Sequence, residues 1–83
     1  MAQANSIAAV PEPKVVVGRN IKRHRLAQDL TQEALANLCG IHPVELARAE
    51  RGTRDMRVST VVKIANGLQI PAGDLLQGLG RRN

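Results

Sequence analysis

The chain contains no Phe, Tyr or Trp among its 83 residues, and this absence restricts both its core and its partners. A chain of this length has room for one core, which here must be built from Leu, Ile, Val and Ala. Such a core favours close-packed helices over a sheet. Proteins that bind single strands or RNA loops usually stack the bases on aromatic rings. We therefore predict a single all-α domain that does not use this mode of binding.

Cysteine and histidine are also scarce. Cys39 is the only cysteine, so an internal disulfide is excluded, and two well-separated histidines offer no ligand set at zinc spacing. We expect Cys39 to be a small core residue rather than a reactive thiol, and no cofactor or metal to be bound. The sequence also lacks a phosphate-cradling glycine loop and a base–nucleophile pair, which argues against an enzyme.

Long apolar runs are missing as well. No run approaches the roughly 18 residues that a membrane-spanning helix needs. The N-terminus has neither the basic start nor the apolar stretch of a secretory signal. These absences predict a cytoplasmic protein without membrane contact.

Positive charge is what the sequence has in excess. Twelve Lys and Arg against seven Asp and Glu give a net charge of +5. This balance points to a polyanion, either nucleic acid or an acidic membrane surface. Because no aromatic ring is available for stacking, double-stranded DNA is the better-fitting partner.

Composition divides the chain into an arm, a domain and a tail. Residues 1–13, MAQANSIAAVPEP, have two prolines, no basic residue and no period, so we expect a flexible N-terminal arm. Helical periodicity then begins, and we expect the domain to occupy residues 14–79. Residues 80–83, GRRN, form a short basic C-terminal tail.

Five helices are predicted in the domain. The first runs from Lys14 to about Gln28. Thr31 caps the second through its hydroxyl, and Gly40 ends it because glycine can adopt the left-handed conformation. The predicted inward stripes of these two helices contain Val17, Ile21 and Arg25, then Leu35, Ala36 and Cys39.

A very short turn leads into the third helix, which Pro43 opens and Gly52 ends. A fourth amphipathic helix is predicted in VSTVVKIANGL, and a shorter fifth in PAGDLLQGL, weakened by its glycines. The predicted inward residues are Leu46 and Ala49 in the third helix and Val58, Val61, Ile64, Ala65 and Leu68 in the fourth.

A helix, a tight turn with glycine and a second helix make a helix-turn-helix unit. The stretch TQEALANLCGIHPVELARAERG resembles that unit in the phage repressor and Cro (Xre-like) class, and the resemblance extends over about residues 17–76. It implies a compact five-helix, lambda-repressor-like domain whose third helix enters the major groove. The chain departs from the usual pattern at Asp29, commonly glycine, at Leu38, commonly polar, and at Arg57, where a serine-type cap is common.

Residues on the outer face of the third helix are the candidates for reading bases. Arg48 can bond a guanine through two acceptors, although a solvated or phosphate-bound arginine is the alternative. Val44 can contact a thymine methyl, or be a rim contact of the core. Ala47 lies on the same face, and His42 either contacts DNA or caps the helix. Glu45 could accept from cytosine but pairs more readily with Arg48.

Phosphate contacts are implied mainly by the resemblance. Gln32 matches the family's backbone-binding glutamine at the start of the second helix, where the helix amides add to the site. Arg54 matches a commonly basic position after the third helix. The secondary candidates are Thr53, Arg23, Arg51 and Arg57.

Two further assignments concern structure and assembly. Arg25 and Glu50 match a family pair that links the first helix to the end of the third, and we predict an ion pair there. Surplus leucines in the fifth element predict a dimer interface at Ile70, Leu76 and Leu79, with Ile70 and Leu79 pointing outward. The alternative is a monomer whose fifth helix simply closes the core.

The sequence thus favours a sequence-specific transcription regulator that binds an inverted repeat of DNA as a homodimer, with a pattern close to the controller proteins of restriction-modification systems. An antitoxin, or a protein-interaction module that holds a toxin or an RNA polymerase subunit, is the alternative.

Overall fold

The computed structural model describes residues 11–80, and within this range the chain forms five helices and no strands. They are α1 (Pro13–Ala27), α2 (Gln32–Cys39), α3 (Pro43–Arg51), α4 (Val58–Leu68) and α5 (Ala72–Leu75). The predicted all-α, five-helix fold is confirmed. Residues 1–10 and 81–83, which hold most of the predicted arm and tail, lie outside the described residues.

The first helix begins at Pro13, inside the segment assigned to the arm. Proline suits this position because the first helical N–H has no acceptor within the helix and the ring already has a helical φ. Beyond the C-terminal end of α1, Asp29 has a φ of +58°, in the left-handed region. Aspartate tolerates that region better than most residues, which explains how it replaces the glycine common at this position.

The helix-turn-helix unit has the predicted ends. The Thr31 hydroxyl accepts a hydrogen bond from the Ala34 N–H at 3.0 Å and so caps α2. Gly40 and Gly52 end α2 and α3 with φ values of +71° and +70°. Since both glycines lie in the left-handed region, each allows the chain to turn sharply after the last helical residue.

The core lies between all five helices and is aliphatic, as predicted. Its fully buried large side chains are Ile21, Leu35, Leu46, Ile64, Leu68 and Leu75. The prediction that Val58 belongs to the core is wrong, because this residue is 79% exposed. Val58 is the first residue of α4, and only from Val61 onward does this helix lie over the core.

Two glycines allow helices to approach closely, and neither was singled out from the sequence. A Cβ on Gly18 of α1 would lie 2.5 Å from the carbonyl oxygen of Ala49 and 2.7 Å from that of Glu50. A Cβ on Gly67 of α4 would lie 2.5 Å from the Cys39 sulfur. Backbone therefore packs directly against the neighbouring element at both positions.

The fifth helix is shorter than its sequence pattern indicates. It ends at Leu75, and Gly78 follows with a φ of +94°. The buried Asn20 of α1 holds this end of the chain, because its Nδ2 donates to the carbonyl oxygens of Leu75 at 2.8 Å and Gln77 at 3.0 Å. The turn after α5 is thus fixed by a side chain far away in sequence.

Membrane contact was not expected. None of the five helices described combines the length and the apolarity that crossing a bilayer requires.

Candidate nucleic-acid interface

The third helix has one buried face and one open face. Leu46 and Ala49 point into the core and are 0% and 4% exposed. Val44 and Arg48 lie on the other side and are exposed, while Ala47 between these faces is half-buried. Val44 is 50% exposed, so the rim of the core does not cover it. The face predicted to read bases is therefore open to a partner.

His42 is the N-cap residue of α3. Its Nδ1 accepts a hydrogen bond from the Val44 N–H at 3.4 Å, so the capping alternative is the one observed. In a neutral ring that accepts at Nδ1, the proton lies on Nε2. The exposed ring therefore keeps one donor for a partner while it caps the helix.

Arg48 and Glu45 do not form the intrahelical ion pair that the sequence favoured. In the part of the chain that the structure describes, the ion pairs are Glu12–Lys14 and Arg25–Glu50. Glu45 and Arg48 are three residues apart on an exposed face, where such a pair gains little over solvation. The Arg48 guanidinium thus remains available on the open face of α3.

Beside this face lies a concave groove of about 380 Å³ formed by α3, the loop after it and the start of α4. Its charged lining residues are Arg48, Arg54, Arg57, Lys63, Glu45 and Asp55. Four cations against two carboxylates give the groove a positive balance suited to a phosphate backbone. The structure therefore brings the predicted Arg48 and Arg54 together.

Lys63 was missed from the sequence. Its only signal is a polar position on the exposed side of an otherwise apolar helix. Arg57, one of the secondary phosphate candidates, also lines the groove and is the N-cap residue of α4 without a side-chain cap bond. Which residues of α4 approach α3 depends on how the helices cross, and apolar periodicity alone does not give that.

Arg25 and Glu50 form the predicted ion pair. Arg25 Nε donates to Glu50 Oε2 at 2.6 Å, and Nη2 donates to Oε1 at 3.0 Å. The two side chains are only 10% and 3% exposed. Arg25 Nη1 also donates to the Leu30 carbonyl oxygen at 2.8 Å. The pair therefore joins α1, the turn before α2 and the end of α3.

Gln32 is not a free side chain at the start of α2. Its Nε2 donates to Glu50 Oε1 at 3.0 Å, and the residue is half-buried. The residue assigned to phosphate contact is thus attached to the ion pair, a contact that sequence spacing does not predict.

The secondary phosphate candidates lie in different places. Thr53 donates its hydroxyl to the Arg48 carbonyl oxygen at 3.3 Å, which leaves only acceptor capacity on that oxygen. Arg23 on α1 and Arg51 at the end of α3 are exposed and do not line the groove.

A second, apolar groove of about 300 Å³ lies on another surface, and its lining includes Met56, Val58, Leu76 and Leu79. Among the residues assigned to a dimer interface, Leu76 is exposed. Ile70 and Leu79 are half-buried and pack against the core, so their predicted outward orientation is wrong. For Leu79 the reason is the short α5, after which the chain turns back over the core. Ile70 lies before α5, directly after the left-handed Gln69 that ends α4.

Cys39 is buried, as predicted. Burial raises the pKa of its thiol above the ordinary value of 9.0, and a backbone hydrogen bond from Gly67 partly opposes this rise.

Within residues 11–80, no three His, Cys, Asp or Glu side chains are grouped as a metal site would require.

Comparison with known proteins agrees with this architecture. The family model described as Helix-turn-helix matches residues 21–75. The chain is 30% identical over 70 residues to Control protein C.SmaI of Serratia marcescens, covering 84% of this chain and 83% of that protein. It is 31% identical over 64 residues to Control protein C.BamHI of Bacillus amyloliquefaciens, covering 76% and 79% of the two chains.

A solved structure gives the same result. The restriction-modification controller protein C.AhdI from Aeromonas hydrophila has a TM-score of 0.73 and 32% identity, covering 75% of this chain and 94% of that chain. The chain belongs to the helix-turn-helix family. Within that family it is similar to the controller proteins of restriction-modification systems.

Proposed function

We propose that this protein is a transcription regulator that binds a specific sequence of double-stranded DNA as a homodimer, in the manner of a restriction-modification controller protein. The observation that carries the proposal is the open face of α3 beside the cationic groove. A helix with Val44 and Arg48 outward can read base edges, while Arg54, Arg57 and Lys63 meet the adjacent backbone.

The roles of individual residues follow from their positions. Arg48 is the main base-reading residue, and Val44 and Ala47 provide apolar contact to thymine methyl groups. His42 donates from Nε2 at the leading end of α3. Gln32 and Arg54 bind phosphates, and Arg23 and Arg51 contribute where the DNA backbone passes near them. Thr53 joins them when its hydroxyl proton turns from the Arg48 carbonyl oxygen to a phosphate oxygen.

Homodimerisation supplies the length of sequence that one α3 cannot read. We place the interface on an apolar surface made of Val58, Val62 and Leu76, which are 79%, 40% and 43% exposed. Val58 and Val62 are four residues apart on one face of α4, and Val58 and Leu76 line the same apolar groove. Leu79 lines this groove as well, and Ile70 packs against the core. Two α3 helices about 34 Å apart would then read an inverted repeat.

The experiment is a selection of binding sites from random duplexes, followed by titration of the selected duplex and a scrambled one at several salt concentrations. A specific regulator prefers the selected inverted repeat at every salt concentration. Its affinity also falls steeply with salt, because each phosphate contact releases counterions.

The same titration tests the alternative function. An antitoxin or a module that holds a toxin or an RNA polymerase subunit, without a DNA site of its own, would show salt-dependent binding to both duplexes and no preference. That outcome would refute sequence-specific regulation.

A further inference from the structure

Glu50 occupies an unusual place between the core and the proposed DNA surface. Its Oε1 accepts two hydrogen bonds, from Arg25 Nη2 and from Gln32 Nε2, each at 3.0 Å. Arg25 belongs to α1, Glu50 to the end of α3, and Gln32 is the first residue of α2. One carboxylate oxygen therefore ties the first residue of α2 to both neighbouring helices.

The chemistry of this contact fixes the direction of the Gln32 amide. A carboxylate can only accept hydrogen bonds, so the amide must present Nε2 to Glu50 and turn its own oxygen away. Gln32 Nε2 carries two protons, and Glu50 accepts a hydrogen bond from one of them. The second proton is left as a donor at the edge of α2, on a half-buried side chain.

We propose that Glu50 is a positioning residue for DNA binding. It holds the Gln32 amide so that the second N–H of Gln32 Nε2 donates a hydrogen bond to a phosphate oxygen. This inference rests on the proposed function, since it concerns the same interface. Gln32 is the residue that touches the backbone, and Glu50 acts only through it.

Preorganisation is the physical reason for an effect on affinity. A glutamine held by one hydrogen bond has already lost most of its rotamer freedom in the folded protein, whereas a free one loses it on binding. The net value of a hydrogen bond to a charged group is also large enough to change affinity about tenfold. Loss of either Glu50 or the Gln32 amide should therefore produce a similar loss.

The test is a double-mutant cycle on duplex binding. Gln32→Leu removes the amide. Arg25→Met combined with Glu50→Leu removes the carboxylate together with its buried partner. Proteins usually tolerate the replacement of a buried ion pair by apolar residues of similar volume. The third protein carries all three changes. Thermal melts and circular dichroism first establish that each is folded.

We expect Gln32→Leu and the paired replacement each to weaken binding about tenfold, to selected and scrambled duplex alike. The triple variant should be within about twofold of the paired replacement, because the amide and its support act as one unit. Effects that multiply would overturn the proposal, since Glu50 would then act on the fold and not through Gln32. A wild-type protein that binds no duplex would instead refute the proposed function itself.

Gln28 provides a matched control. Its Nε2 donates to the Leu68 carbonyl oxygen at 2.8 Å, so Gln28→Leu removes a similar scaffold bond away from α2. We expect duplex affinity within about twofold of wild type for this variant.

A measurement on the unmodified protein keeps the proposal testable if the paired replacement does not fold. By NMR, one side-chain amide proton of Gln32 should exchange slowly in the free protein, and its geminal partner should shift when duplex is added. If both protons exchange as fast as those of the exposed Gln77, the amide is not held and the proposal is wrong.

Discussion

Gly18 of α1 lies directly against the end of α3, so that a Cβ at Gly18 would be 2.7 Å from the carbonyl oxygen of Glu50. The backbone of α3 therefore packs directly against the backbone of α1. Because α1 also supplies Arg25, the end of α3 is held both by close packing and by a buried charge pair.

Replacing this glycine should destabilise the domain. Gly18→Ala places a methyl against two backbone carbonyls that cannot rotate away, and we expect a loss of about 1–3 kcal/mol in the free energy of unfolding. Gly73→Ala is the control, because a Cβ there meets nothing within 4 Å. It should be neutral or slightly stabilising. Urea titration measures both, and equal midpoints for the two variants would show that α1 and α3 can separate without cost.

Removing one partner of the Arg25–Glu50 pair should be costly, because the remaining charge stays buried. We expect Arg25→Ala or Glu50→Ala to lower the free energy of unfolding by about 3–5 kcal/mol. Arg23→Ala, an exposed arginine on the same helix, should change it by less than about 0.5 kcal/mol. Thermal melts decide this, and a midpoint for Glu50→Ala close to that of Arg23→Ala contradicts the burial argument.

Arg48 and Arg54 should behave differently in DNA binding. Arg48→Ala should flatten the preference at one or two base positions, at a cost of about 1–3 kcal/mol for the selected duplex. Arg54→Ala should weaken selected and scrambled duplexes equally and reduce the salt dependence by about one phosphate contact. The readout is a binding-site selection for each variant; an Arg48→Ala profile identical to wild type would remove this residue from base readout.

The dimer interface is tested by Leu76→Asp. A carboxylate on the apolar surface of Val58, Val62 and Leu76 cannot be buried without a partner, so the variant should be monomeric at concentrations where the wild type is dimeric. Leu26→Asp is the control, since Leu26 is 53% exposed on α1 and outside this surface. Sedimentation of all three proteins measures assembly. A monomeric wild type, or a Leu76→Asp dimer as strong as wild type, contradicts the assignment.

We expect the buried thiol of Cys39 to lower the free energy of unfolding at alkaline pH. Its pKa is raised by burial, so folding favours the protonated thiol. The resulting stability is fully present below the pKa of the unfolded chain, near the ordinary value of 9.0, and is lost as the pH rises through the folded-state pKa. The free energy of unfolding should therefore fall more steeply above pH 9 for wild type than for Cys39→Ala. Parallel curves for the two proteins would show that the thiol does not contribute.

The sequence by itself determined the local features of this protein. Thr31, Gly40 and Gly52 mark the ends of helices. The sequence shows this because helix capping and a left-handed φ depend on residues adjacent in sequence. Apolar spacing predicts the buried stripes with the exception of Val58, and the resemblance to repressors predicts the Arg25–Glu50 pair.

Tertiary structure decided what depends on how helices cross. Three such features join residues far apart in sequence. Gln32 donates a hydrogen bond to Glu50, Asn20 donates to the backbone of the turn after α5, and Lys63 lines the same groove as Arg48. Periodicity states which face of a helix is buried, but not which residue of a neighbouring helix comes within hydrogen-bond distance. That choice is made by interhelical distance and angle, which close contacts such as the one at Gly18 set.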